Sequence, residues 1–151
     1  MKRRKFLWVI TIVWAIIIFC FSGQTAEQSK KISTTVSDKV VEIVPELKTE
    51  LRKDQEMLLA ATKVIVRKIA HGVLFFVLAI LVLPLLQTYP KMLKFAYLAA
   101  FIICVLYAAG DELHQHFVPG RAALLADMGI DAAGSFLGLS ISYVIKKLSP
   151  V

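Results

Sequence analysis

Asp111, Glu112, His114, Gln115, His116 and Arg121 fall within eleven positions of a chain that is 58% hydrophobic, and Asp127 and Asp131 follow. Ser22, Gln24, Arg67, Lys68 and His71 stand upstream. Carboxylates beside imidazoles suit a divalent cation or acid–base catalysis. Guanidinium and ammonium groups suit phosphate or carboxylate, and a guanidinium can meet a carboxylate through two parallel hydrogen bonds. On a helix, Asp111, His114 and Gln115 share one side at i, i+3 and i+4, while Asp127 and Asp131 share another at i and i+4. Glu112 and His116 then point away from Asp111, and both are expected to be solvated. Arg67, Lys68 and Arg121 are the countercharges, with Arg121 expected to meet Asp127 or Asp131. The compact HExxH or CxxC spacing of a metal motif is missing, so no metal and no cofactor is assigned. Cys20 and Cys104 are expected as small buried hydrophobes.

The elements that must position these residues are apolar all round. Runs at 6–21, 70–86, 95–109 and 122–145 account for a mean hydropathy of +0.70. With its flanks, each approaches the ~20 residues that cross a bilayer. The expected fold is all-α, a four-helix transmembrane bundle with spans at about 6–23, 69–88, 94–113 and 125–145. Segments 1–5, 88–94 and 146–151 hold Lys2, Arg3, Arg4, Lys5, Lys91, Lys94, Lys146 and Lys147 and none of the 11 acidic residues. Such one-sided loops put both termini in the cytoplasm, N-in and C-in, of a multi-pass bacterial cytoplasmic membrane protein. The net charge of +7 then reflects topology and contact with anionic lipid, and no nucleic-acid partner is implied. The basic start also resembles a signal peptide; without a small-x-small cleavage site a retained first helix is expected.

The polar stretch at 24–67 becomes an extracytoplasmic helical insert. Ile32, Val36, Val40, Ile43 and Leu47 recur at helical spacing, Pro45 divides the stretch, and Leu47, Leu51, Leu58, Ala61 and Ile65 make a second stripe. Gly134, Gly138 and Ser142 form a small-xxx-small row for close helix packing.

Depth gathers the polar residues. At ~1.5 Å per residue, Ser22 and Gln24 lie about 25 and 28 Å above Lys5, and Asp111 and Gln115 about 25 and 31 Å above Lys94. Counted from Lys146, Asp131 and Asp127 lie about 22 and 28 Å up, and His71 lies about 22–30 Å above the inner end of its span. All four helices therefore contribute to one layer near the outer face of a hydrocarbon core ~30 Å thick. Ionised groups at such depths cost too much to face lipid together, so they are expected to line a polar pocket open to the outside.

"FSGQ", "RKIAHGVLFFVLAILVL", "DELHQHFVPGR" and "DMGIDAAGSFLG" together resemble the VanZ-like family of bacterial membrane proteins, over all four spans. The resemblance implies one membrane domain, 1–151. Its pattern falls on Ser22, Gln24, Lys68, His71, Asp111, Glu112, His114, Gln115, Pro119, Gly120, Arg121, Asp127, Asp131 and Gly134. Ala122 to Ala126 stand where the family often has serine, and many members have asparagine in place of Asp131. The family is named for a protein linked to low-level teicoplanin resistance, which implies a cell-envelope role. The expected function is binding of a lipid-linked, cell-wall or glycopeptide-like ligand in the pocket. Ser22, Gln24, Lys68, His71, Asp111, Glu112, His114, Gln115, Arg121, Asp127 and Asp131 would line it, with membrane lipids as further partners. An intramembrane hydrolase or transferase, a small transporter and a scaffold are the alternatives.

Overall fold

The computed structural model describes residues 2–23, 55–119 and 125–149, the side chains of 55–63 excepted. Four long helices, α1 (Lys2–Ser22), α2 (Gln55–Gln87), α3 (Ala96–His116) and α4 (Leu125–Leu148), carry nearly all of it, with a short 3-10 helix at Pro90–Phe95. No strand occurs among the described residues. Each helix contains a stretch long and apolar enough to cross a membrane: Lys2–Ser22, Val64–Gln87, Leu125–Leu148, and Pro90–His116, where the 3-10 helix runs into α3. Helix is the form such sequences must take in hydrocarbon, since it satisfies every interior backbone group within the segment.

The helix ends are closed locally. At the end of α2, the Thr88 hydroxyl and the Thr88 amide both donate to the Leu85 carbonyl, at 2.7 and 3.1 Å, and the Tyr89 amide donates to Leu86. Pro90 then opens the 3-10 helix, where its missing N–H costs nothing. At the end of α3 the Phe117 and Val118 amides donate to the carbonyls of His114 and Gln115. Pro84 lies inside α2, within its membrane-crossing stretch.

The four helices form two triangles that share an edge. α2 and α3 pack on each other, and each also touches α1 and α4; α1 makes no close approach to α4. The tightest seam joins α2 to α4. A Cβ at Gly138 would stand 2.6 Å from the Phe76 carbonyl oxygen, and one at Gly134 would collide with the carbonyl of Gly72. Only hydrogen fits there, so the small-residue row lets two backbones touch. The Ser142 hydroxyl donates to the Gly138 carbonyl on its own helix (2.8 Å).

The core is thin. Ile18, Phe75, Leu78, Ala79, Val82, Leu83 and Leu139 surround a row of small residues on α3, Ala96, Ala100, Cys104 and Ala108, every one fully buried. Most large apolar side chains, such as Phe6, Ile16, Ile69, Leu106 and Phe136, point outward. In a soluble protein that would be an aggregation hazard; on membrane-crossing helices it is the lipid face.

α2 runs unbroken from Gln55, so the helix that carries the expected second span also includes the end of the 24–67 insert. No proline or glycine interrupts 55–71, and the apolar stripe through Ile65 continues into the span in register. Cys20 is exposed, unlike buried Cys104, because α1 buries only Thr11, Ile18 and Ser22 and turns its other faces outward. The helical readings for 24–54 lie outside the described residues.

Candidate functional site

The buried row on α3 advances in steps of four, Ala96, Ala100, Cys104, Ala108, and the next step is Glu112. Glu112 is accordingly only 7% exposed, which overturns the expectation that it is solvated. Successive helical residues are 100° apart, so Glu112 lies beside Asp111 and not opposite it. Asp111 (4%) and Gln115 are buried with it, whereas His116 is exposed.

Asp111 ties three points together. The Ser22 hydroxyl at the end of α1 donates to Asp111 Oδ2 at 2.8 Å, and the Gln115 side-chain amide one turn away donates to the same oxygen at 3.0 Å. Asp111 Oδ1 is buried and has no hydrogen-bond donor among the described residues. Asp131 on α4 is more extreme. It is fully buried, and neither carboxylate oxygen receives a hydrogen bond from a described residue. The His71 ring on α2 comes nearest, with Nδ1 3.7 Å from Asp131 Oδ1. One donor atom each from His71, Asp111 and Asp131 can be chosen so that all three lie within 4.8 Å of one another.

One turn above His71, the Lys68 ammonium donates to Asp127 Oδ1 at 2.6 Å, and an Arg67 guanidinium nitrogen stands 4.0 Å from Asp127 Oδ2. Arg67, Lys68, His71, Gln115, Asp127 and Ile130 surround a polar cleft of about 10 Å³. That is about one water-sized sphere, so the cleft admits a single small group or ion and no whole headgroup.

Ser22, Lys68, His71, Asp111, Glu112, Gln115, Asp127 and Asp131 thus share one end of the bundle. His114 takes another course: its ring stacks on Phe19 of α1, centroids 4.1 Å apart, and links α3 to α1. Gln24 and Arg121 lie outside the described residues, so the expected pairing of Arg121 does too. Asp127 takes Lys68 as its partner. Arg67, expected as a countercharge and not among the pocket residues, lines the cleft one residue from Lys68. The spacing left one contributor unassigned. Ser135, fully buried one turn below Asp131, donates to the Asp131 carbonyl at 2.9 Å. Ser22 directs its hydroxyl at a carboxylate and not at His71, so the described geometry contains no serine–histidine pair.

The family model VanZ/LLP1 matches residues 7–146, nearly the whole chain and every helix described above. The chain belongs to the VanZ/LLP1 family. Neither the curated proteins nor the solved structures hold a match to it. In this VanZ/LLP1 protein the matched region brackets the entire polar cluster, from Ser22 to Asp131, and the close seam at Gly134 beneath it. With four membrane-capable helices, it is a multi-pass membrane protein.

Proposed function

We propose that this VanZ/LLP1 protein serves the cell envelope by holding the polar headgroup of a membrane lipid or lipid-linked cell-wall precursor over the cluster. In this reading both termini are cytoplasmic and the cluster faces outward. The observation that carries it is the gathering of ionisable and amide side chains from three helices, with Ser22 from the fourth, at one end of an otherwise apolar bundle. Ionisable groups inside a membrane are expensive, and their concentration marks a site of function. The orientation rests on the lysines and arginines of 1–5, 88–94 and 146–151, the segments that carry no acid.

The cleft's size refines the binding mode. A headgroup would sit across the mouth, with one small substituent entering. Lys68 is already committed to Asp127, so Arg67, about one-third exposed, is the cation with donors to spare for a phosphate or carboxylate.

The test is native mass spectrometry of the full chain extracted with its surrounding lipid. The wild type should carry one anionic lipid or lipid-linked species per chain. An Arg67→Ala, Lys68→Ala variant with an unchanged melting temperature should lose it. A wild type with nothing bound, or a variant that retains the species fully, would remove the headgroup reading.

A further inference from the structure

We infer that His71, Asp111 and Asp131 form a binding site for one divalent cation of the Zn²⁺ or Mn²⁺ type. The inference goes beyond the headgroup reading and stands without it.

Three observations converge. The first is distance. Ligands held at 2.0–2.5 Å from one ion lie at most about 4–5 Å apart, and donor atoms of these three side chains fall within 4.8 Å of one another. The second is unmet demand. Both oxygens of Asp131 and Oδ1 of Asp111 are sealed from solvent and receive no hydrogen bond from any described residue. A buried carboxylate oxygen without a hydrogen bond is costly, and metal coordination is one of the few arrangements that satisfies it. The third is charge. Lys68 and Arg67 lie against Asp127, which leaves Asp111 and Asp131 as the two carboxylates of the interior group, and a divalent ion matches their charge.

The ligand types narrow the ion. One imidazole with two carboxylates suits the first-row divalent ions, and the imidazole disfavours Ca²⁺ and Mg²⁺. Asp111 Oδ2 is committed to Ser22 and Gln115, which leaves Oδ1 as the ligand and makes those two donors the support that orients it. Three protein ligands leave at least one position for water or for an oxygen of a phosphate. The three ligands sit on three different helices, so no local spacing announces them.

The experiment uses the full chain in lipid nanodiscs, stripped of metal and titrated with Mn²⁺ and with Zn²⁺. One ion per chain is expected. Asp131→Asn and Asp111→Asn, each close in shape, should weaken binding at least tenfold, and Lys94→Ala at the opposite end should leave it unchanged. In the Mn²⁺-loaded wild type, pulsed electron paramagnetic resonance should detect nitrogen coupling from one histidine, which His71→Gln removes. No stoichiometric uptake, or uptake indifferent to all three substitutions, overturns the site. Should the variants fail to fold, the wild-type spectrum decides alone: absence of the nitrogen coupling overturns it. A metal-binding protein that retains no lipid would sink the headgroup reading only, and one that retains lipid without metal would sink this inference only.

Discussion

The two ends of the bundle solve the problem of polar groups in a membrane in opposite ways. At the end marked by Lys5, Lys94 and Lys146, polarity is exposed and loosely arranged. The Trp8 indole donates to the Tyr89 hydroxyl at 3.0 Å, Arg4 lies 5.2 Å from the Tyr89 ring centre, and Tyr97 meets Tyr143 edge-on at 5.9 Å. These are amphipathic anchors suited to a membrane boundary, where each keeps its polar tip wet. At the other end Asp111, Glu112 and Asp131 are buried, and Asp111 and Asp127 are held by particular partners. Between them the buried polar groups are neutral: the Thr11 hydroxyl bonds back to the Leu7 carbonyl, Trp14 donates to the Leu74 carbonyl and Tyr107 to that of Ala15. Anchoring tolerates solvent and imprecision, whereas the acidic end accepts the cost of burial in exchange for fixed geometry.

Substitutions can break that contrast in graded steps. Gly134→Leu should have the largest effect, because its side chain must enter the Gly72 backbone and force α2 from α4. Overpacking costs about 1–3 kcal/mol where side chains can yield and more where backbone must. Thermal unfolding in detergent would measure it, beside Gly110→Ala, whose added methyl meets nothing within 4 Å. Asp111→Ala comes next, since it strands the Ser22 and Gln115 donors. Leaving buried donors unpaired costs about 1–3 kcal/mol, and Asp111→Asn, which keeps an acceptor, should cost less. If Asn proves as damaging as Ala, the charge and not the hydrogen bonds holds this end together. Breaking the Lys68–Asp127 pair should matter less, because both groups retain solvent contact. A double-mutant cycle with Lys68→Met and Asp127→Asn should return a coupling of about 1 kcal/mol or below. Trp8→Phe should change stability least, within about 0.5 kcal/mol as for other exposed substitutions. An effect there as large as that of Asp111→Ala would erase the distinction between the two ends.

The membrane-crossing helices were legible because hydrocarbon allows only one backbone solution for long apolar runs. The convergence of Ser22, His71, Asp111, Gln115, Asp127 and Asp131 was legible too, because helical rise converts sequence distance into depth. Depth, however, says nothing about rotation. That Ser22 meets Asp111 while His71 meets Asp131, and that Asp127 takes Lys68, depends on how each helix turns about its axis. Packing across the Gly72–Gly134 contact sets that rotation for α2 and α4, and it is a tertiary fact. Glu112 shows the remaining kind of miss. Its place in the row Ala100, Cys104, Ala108 was visible in the sequence, but the comparison with Asp111 hid it.

The contact of Gly134 with Gly72 reaches beyond stability. His71 adjoins one glycine, and Asp131 stands one turn before the other. Their separation is therefore governed by two backbones in contact, with little latitude for side chains to compensate. A lineage that enlarges Gly134 must remodel both helices at once, whereas a methyl added at Gly72 would meet only Ile130 at 3.5 Å, so the freedom to vary is unequally divided between the two sides of one contact.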